Sequence, residues 1–183
     1  FNTSIGYGAM QENTVADYNT ALGWATLNKT TTGQYNTALG AQALRFNTTA
    51  SNNTAVGYQA GYSNTTGGYN TFHGMQSGFS NTTGINNTNI GYAANFSNST
   101  GNYNVSVGYQ SLNSNTASQN TAVGYQAAYS NTTGANHTLV GYQAGYSQQA
   151  ASNNTFIGFQ AALYSTSGGG SVAVGYQALK SAA

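Results

Sequence analysis

The sequence predicts an all-β protein, a single-chain parallel β-solenoid (a β-roll) of eleven coils of about 17 residues each. Three observations point there. A glycine recurs at a fixed interval along the chain, the residues around it repeat column by column, and the composition is rich in Asn, Thr and Gly, which are poor helix formers.

The glycines are Gly6, Gly23, Gly40, Gly57, Gly74, Gly91, Gly108, Gly124, Gly141, Gly158 and Gly175, spaced by 17 except for one step of 16 between Gly108 and Gly124. Residues 1–183 therefore read as one continuous repeat array, expected to be part of a longer fibre. Seventeen residues are too few for two packed helices and a turn, so a helical solenoid is excluded. Such a polar chain could be disordered, but aromatics reach 13% and the apolar residues keep strict register.

Each column has a physical reading. The residue before the glycine is aliphatic, as in Val56, Ile90, Val107, Val123, Val140, Ile157 and Val174, with His73 as the exception. These β-branched residues favour a strand and are expected to stack into a thin core. Thr dominates three before the glycine and Asn four before it. Tyr recurs one after it, and a small residue such as Ala60, Ser77 or Ala127 stands three after it. Gly57, Gly74, Gly91, Gly108, Gly124, Gly141 and Gly158 are expected to mark a positive φ or a close backbone approach at a bend. Coils stacked at about 4.8 Å would make a rod of about 50 Å, with Asn, Gln and Tyr ladders along it. One coil cannot fold alone. Ordering costs about 1–2 kcal/mol per residue, whereas one buried aliphatic returns roughly 1.5–3 kcal/mol. Stability must come from stacking. Neither end reads as a polar cap, so the expectation is that the protein continues or that copies stack end to end.

Composition narrows function. Charged residues make up 3% of the chain, net charge is +1, and Cys and Pro are absent. No field exists to attract nucleic acid, and no apolar run approaches the roughly 20 residues of a membrane span. No signal peptide is visible, and the chain opens in mid-pattern at Phe1, as a mature or internal fragment would. The only acids are Glu12 and Asp17, a thin basis for two-carboxylate hydrolysis. No Asp rows that would hold calcium, and no nucleophile, zinc or phosphate-loop motif, are present. His73 and His137 fall several coils apart and cannot share a metal. The expectation is a chain with no enzymatic activity, cofactor or metal. The Tyr column could stack sugar rings. The Thr column raises an ice-binding face, although such faces generally pair two Thr columns and here the partner column is aliphatic.

The recurring phrase Asn53-Thr54-Ala55-Val56-Gly57, repeated as Asn120-Thr121-Ala122-Val123-Gly124 and with equivalents in all eleven coils, resembles the head repeats of trimeric autotransporter adhesins, closest to the YadA-like head. The resemblance implies a left-handed parallel β-roll, three of which pack side by side into a surface adhesin. The 17-residue period is longer than that family leads one to expect, and neck, stalk and anchor are not recognisable. Asn-Thr-rich repeats of this kind also suit phage fibres and environmental surface filaments.

Sequons of the form N-x-[ST] occur at Asn2, Asn28, Asn47, Asn52, Asn64, Asn81, Asn86, Asn95, Asn98, Asn104, Asn131, Asn136 and Asn153. Asn47, Asn64, Asn81, Asn98 and Asn131 share a column seven after the glycine, and Asn52, Asn86, Asn136 and Asn153 one twelve after it. Both flank a turn where covalent N- or O-linked glycans would be accessible, hydrating a nearly uncharged rod and blocking its edges. Equally, Asn and Thr are turn residues, and sequons arise by chance in such a repeat. The expected function is a structural component of an extracellular fibril or surface filament, glycan-coated at the Asn-Thr-Thr corners and associating end to end. The alternative is an adhesin head that binds a host or matrix ligand as a trimer. An ice- or carbohydrate-binding solenoid is a lesser alternative.

Overall fold

The computed structural model describes residues 1–166 and 168–180. Each coil contributes one three-residue strand: β1 (Thr3–Ile5), β2 (Thr20–Leu22), β3 (Thr37–Leu39), β4 (Thr54–Val56), β5 (Thr71–His73), β6 (Thr88–Ile90), β7 (Val105–Val107), β8 (Thr121–Val123), β9 (Thr138–Val140), β10 (Thr155–Ile157) and β11 (Val172–Val174). They form one parallel sheet in chain order, so the chain is a β-solenoid of about ten turns. Register is like on like: Thr37 faces Thr54 and Leu39 faces Val56. The rest of each coil is turn, yet it is bonded as continuously as the strands. The N–H groups of Thr48, Thr49 and Ala50 all donate to the Thr65 carbonyl at 3.1–3.3 Å, and the Thr48 hydroxyl donates to it at 3.1 Å.

The glycine column has φ from 127° to 138°, a region essentially reserved for glycine. Close approach adds to this. A Cβ on Gly57 would lie 2.7 Å from the carbonyl carbon of Gly74 in the next coil.

The core is not where the aliphatic column placed it. Successive strand residues point to opposite faces. In every strand from β2 onward the middle residue is buried while the last one, aliphatic except for His73, faces outward. Val56, Val107, Val123 and Val140 are half-buried, and Ile90, Ile157 and Val174 are exposed. They are not core residues. The interior is built instead from the strand centres and the residues three and four after the glycine.

Two of those columns compensate in size. Ala38 meets Leu44, Ala21 meets Leu27, Phe72 meets Gly78, Leu139 meets Gly145 and Phe156 meets Ala162. A coil interior holds one large side chain, so a large residue in one column requires a small one in the other. The apolar core falls into two clusters, one ending at Phe72 and one beginning at Leu112. Between them lie buried Asn89, Asn95, Ser106 and Ser111. The Ser106 hydroxyl lies 2.7 Å from that of Ser111, while both amide atoms of Asn89 are buried without a partner.

The 16-residue coil has a simple origin. In Asn47-Thr48-Thr49-Ala50 the second Thr is exposed, and Asn115-Thr116-Ala117 lacks it. Thr116 N–H still donates to the Thr132 carbonyl at 2.8 Å, so the ladder continues unbroken.

Candidate functional site

Three surfaces run the length of the rod. The first is the outer strand face, with Thr and aliphatic columns two residues apart. Beside its aliphatic column lies the aromatic column that follows the glycine. There Tyr92, Tyr109, Tyr125, Tyr142, Phe159 and Tyr176 stack with centroids 5.0–5.3 Å apart. Ile90 and Ile157 are 38% and 39% exposed, and the six rings 37–75%. The two columns make one apolar stripe on a chain with almost no charge. Because each ring covers the next, the ring faces are used within the ladder, and sugar rings cannot stack flat on them.

The second surface is internal, a seam of amides. In the column four before the glycine, each Asn accepts from the following coil, and all but Asn154 donate across the corner. Asn53 N–H donates to Asn36 Oδ1 at 3.0 Å, and Asn53 Nδ2 donates to the Gly67 carbonyl at 3.0 Å. The column seven after the glycine meets the same carbonyl: Asn64 Nδ2 donates to Gly67 O at 2.9 Å and to Asn47 Oδ1 at 2.9 Å. Buried amides paired in this way specify the fold, and the few atoms left over, such as Asn81 Oδ1 and Asn131 Oδ1, are themselves buried and offer nothing for chemistry outside.

This geometry removes most glycan sites. Asn47, Asn64, Asn81, Asn98 and Asn131 are at most 1% exposed. Asn28, Asn95 and Asn104 are likewise buried. A glycan on any of these would replace a buried hydrogen-bonding amide, so the Asn of the Asn-Thr-Thr corner is a hydrogen-bonding device closed to N-linked glycans. Only Asn2, Asn52, Asn86, Asn136 and Asn153 among the sequons are exposed. The last four occupy a left-handed position, with φ of 61°, 56°, 59° and 63°. Asn tolerates that conformation better than other L residues. Asn52-Asn53-Thr54 is thus a left-handed residue, a ladder amide and a strand residue in succession, and its sequon follows from three structural demands.

The third surface is this left-handed column itself, twelve after one glycine and five before the next. Where it does not carry Asn it carries Tyr18, Tyr35, Tyr69, Tyr103, Gln119 or Gly170. A bulky residue at positive φ costs on the order of 1–3 kcal/mol. Tyr18 offsets that cost by stacking on Phe1 and on Tyr35, at 5.6 Å and 5.1 Å. Tyr69 and Tyr103 stack on no ring, and they are 65% and 56% exposed. Tyr69 borders a groove of about 440 Å³, lined also by Ser51, Asn52, Thr66, Gly68, Ile85 and Asn86.

The expected Gln ladder is present, and sequence reasoning missed one further ladder, an aromatic one. Gln59 Nε2 donates to Gln42 Oε1 at 2.8 Å, and the series runs on through Gln76 and again from Gln110 to Gln177. Tyr62, Phe79 and Phe96 stack at 5.0 Å. The aromatic one could have been found by reading every column, because aromatics recur five after the glycine.

The scattered candidates stay apart. Glu12 pairs with Lys29, and Asp17 lies 2.6 Å from the Phe1 amino group. His73 lies on the outer face, whereas His137 takes an Asn place in the buried seam. There its Nδ1 accepts from Asn154 N–H at 3.2 Å. Burial, only partly offset by the Ala151 backbone, lowers its pKa below the ordinary 6.5. Among the described residues no group of three or more His, Cys, Asp or Glu is placed to hold a metal, and no helix is long and apolar enough to cross a membrane.

Comparison with family models, with curated proteins and with solved structures finds no significant match.

Proposed function

We propose that the chain is a non-enzymatic rod of an extracellular or cell-surface fibre, and that copies associate side by side through the outer strand face. The observation that carries this reading is the apolar stripe. Aliphatic residues run outward from Ile5 to Val174 with one break at His73, in register along one sheet, and from Ile90 onward they lie beside the aromatic ladder. An exposed apolar strip of this length is what a protein–protein contact removes from water. With a net charge of +1, identical copies repel one another little. Side-by-side packing also suits the adhesin-head alternative, in which three rolls share one apolar axis, and the outward direction of the aliphatic column favours it. Glycans at the Asn-Thr-Thr corners form no part of the reading.

The test is the mass of the array in solution by sedimentation equilibrium. The expected result is a multiple of 18.9 kDa, reduced to the single-chain mass by Ile90→Lys with Ile157→Lys. Those residues face outward, so the single-chain fold should persist. A wild-type chain that stays monomeric at high concentration sinks the proposal.

A further inference from the structure

We infer that the groove beside Tyr69 is a binding site for a neutral saccharide unit. The first ground is conformational. Tyr69 holds φ at 60°, where Asn or Gly would be less strained, and no stacking offsets this. An unexplained strained residue on a surface points to function. The second is shape. The column before Tyr69 carries a side chain in neighbouring coils, such as Gln34, Ser51, Ile85 and Asn102, but Gly68 here. The missing side chain opens the 440 Å³ groove, within the range of small-ligand sites. Tyr103 has the same strain, but Asn102 stands before it, its Oδ1 taken by Ile85 N–H at 2.8 Å.

The third ground is chemistry. A pyranose has an apolar C–H face and a rim of hydroxyls. The negative face of the Tyr69 ring suits the first. Asn52 and Asn86, one coil to either side, suit the second, since each amide offers two donors and an acceptor. Among the described residues, neither side-chain amide, nor the Tyr69 hydroxyl, makes a hydrogen bond. No charged side chain lines the groove, so a neutral sugar fits better than an acidic one. The site lies at the corner rather than on the strand face, so it is independent of side-by-side assembly.

Affinity gel electrophoresis with three soluble neutral polysaccharides, a β-1,4-glucan, an α-mannan and a galactan, tests the inference. At least one should retard the wild-type array. Tyr69→Asn should weaken that retardation by about tenfold, the factor one ring contact is worth. It should leave the fold intact, because Asn52 and Asn86 occupy the equivalent place. Gly68→Gln, as at Gln34, should fill the groove and also weaken binding, while Tyr103→Asn should not. The inference is overturned if none of the three retards the wild type, if Tyr69→Asn binds undiminished, or if Tyr103→Asn loses as much as Tyr69→Asn. Sedimentation of Tyr69→Asn should show unchanged assembly, which separates failure of this site from failure of the fibre proposal.

Discussion

The ring of Phe72 fills the space that a side chain on Gly78 would need. A Cβ there would come within 2.2 Å of Phe72 Cδ1, and one on Gly61 in the coil below within 2.6 Å of Cδ2. One large side chain serves two coils, and two glycines make room for it. Gly78→Ala should therefore destabilise by overpacking, by roughly 1–3 kcal/mol. Phe72→Ala should cost about 3–5 kcal/mol through the void it leaves. Phe72→Ala with Gly78→Leu recreates the Ala38–Leu44 arrangement and should recover most of the loss. Denaturant melts of the two single variants and the double variant would check this coupling, and simple additivity would contradict it.

Gln148 occupies a ladder position that holds Asn in most coils, and both its amide atoms are buried without partners. The Oδ1 of Asn131, one coil below, is orphaned as well. Gln148→Asn would restore the donor that Asn64 offers to Asn47. A gain of about 1–3 kcal/mol is expected, the cost of leaving a buried polar group unmade. A thermal melt no higher than wild type would count against the ladder register here.

His137 should make the rod acid-sensitive. Asn154 N–H can donate only to an unprotonated Nδ1, so the folded seam requires the neutral ring. With the folded pKa below 6.5, the unfolded chain binds more protons near that value, and stability rises with pH there. The contribution is present above pH 6.5 and declines as pH falls below it. His137→Asn, which restores the seam residue, should flatten the slope between pH 7 and 5. An unchanged slope would assign the effect elsewhere.

Glycopeptide mapping of natively purified protein should find Asn47, Asn64, Asn81, Asn98 and Asn131 bare. Any N-linked sugar would be confined to the exposed set Asn2, Asn52, Asn86, Asn136 and Asn153. An occupied Asn64 in folded material would overturn the buried seam.

Deleting Thr83 should be tolerated. It is the exposed second Thr of its corner, the residue already missing between Thr116 and Ala117. Its removal deletes one donor to the Ser99 carbonyl, which keeps that of Thr82 at 2.8 Å. A loss within about 0.5 kcal/mol is expected, as for surface changes that break no special feature. Deleting Asn81 instead should unfold the array.

The sequence by itself determined the period, the single chain-long array, the parallel stacking and the strand positions. Those follow from repetition, since identical residues at a fixed interval are most simply satisfied by lying on one another. Tertiary structure alone decided which way each column points. A strand of three residues has a one-residue choice of face, and hydrophobicity argues for the wrong one here, because Val56 and Ile90 are more apolar than Ala55 and Asn89. The answer depends on how little room a coil encloses. An interior that holds one large side chain takes Ala38 with Leu44 or Phe72 with Gly78, and it expels the aliphatic column. That compensation was legible as alternating sizes in two columns. The burial of Asn64 was not, because Asn-Thr-Thr-Gly looks the same whether its amide faces water or closes a ladder. Only the carbonyl of Gly67, brought within 2.9 Å by the corner's own bend, settles it.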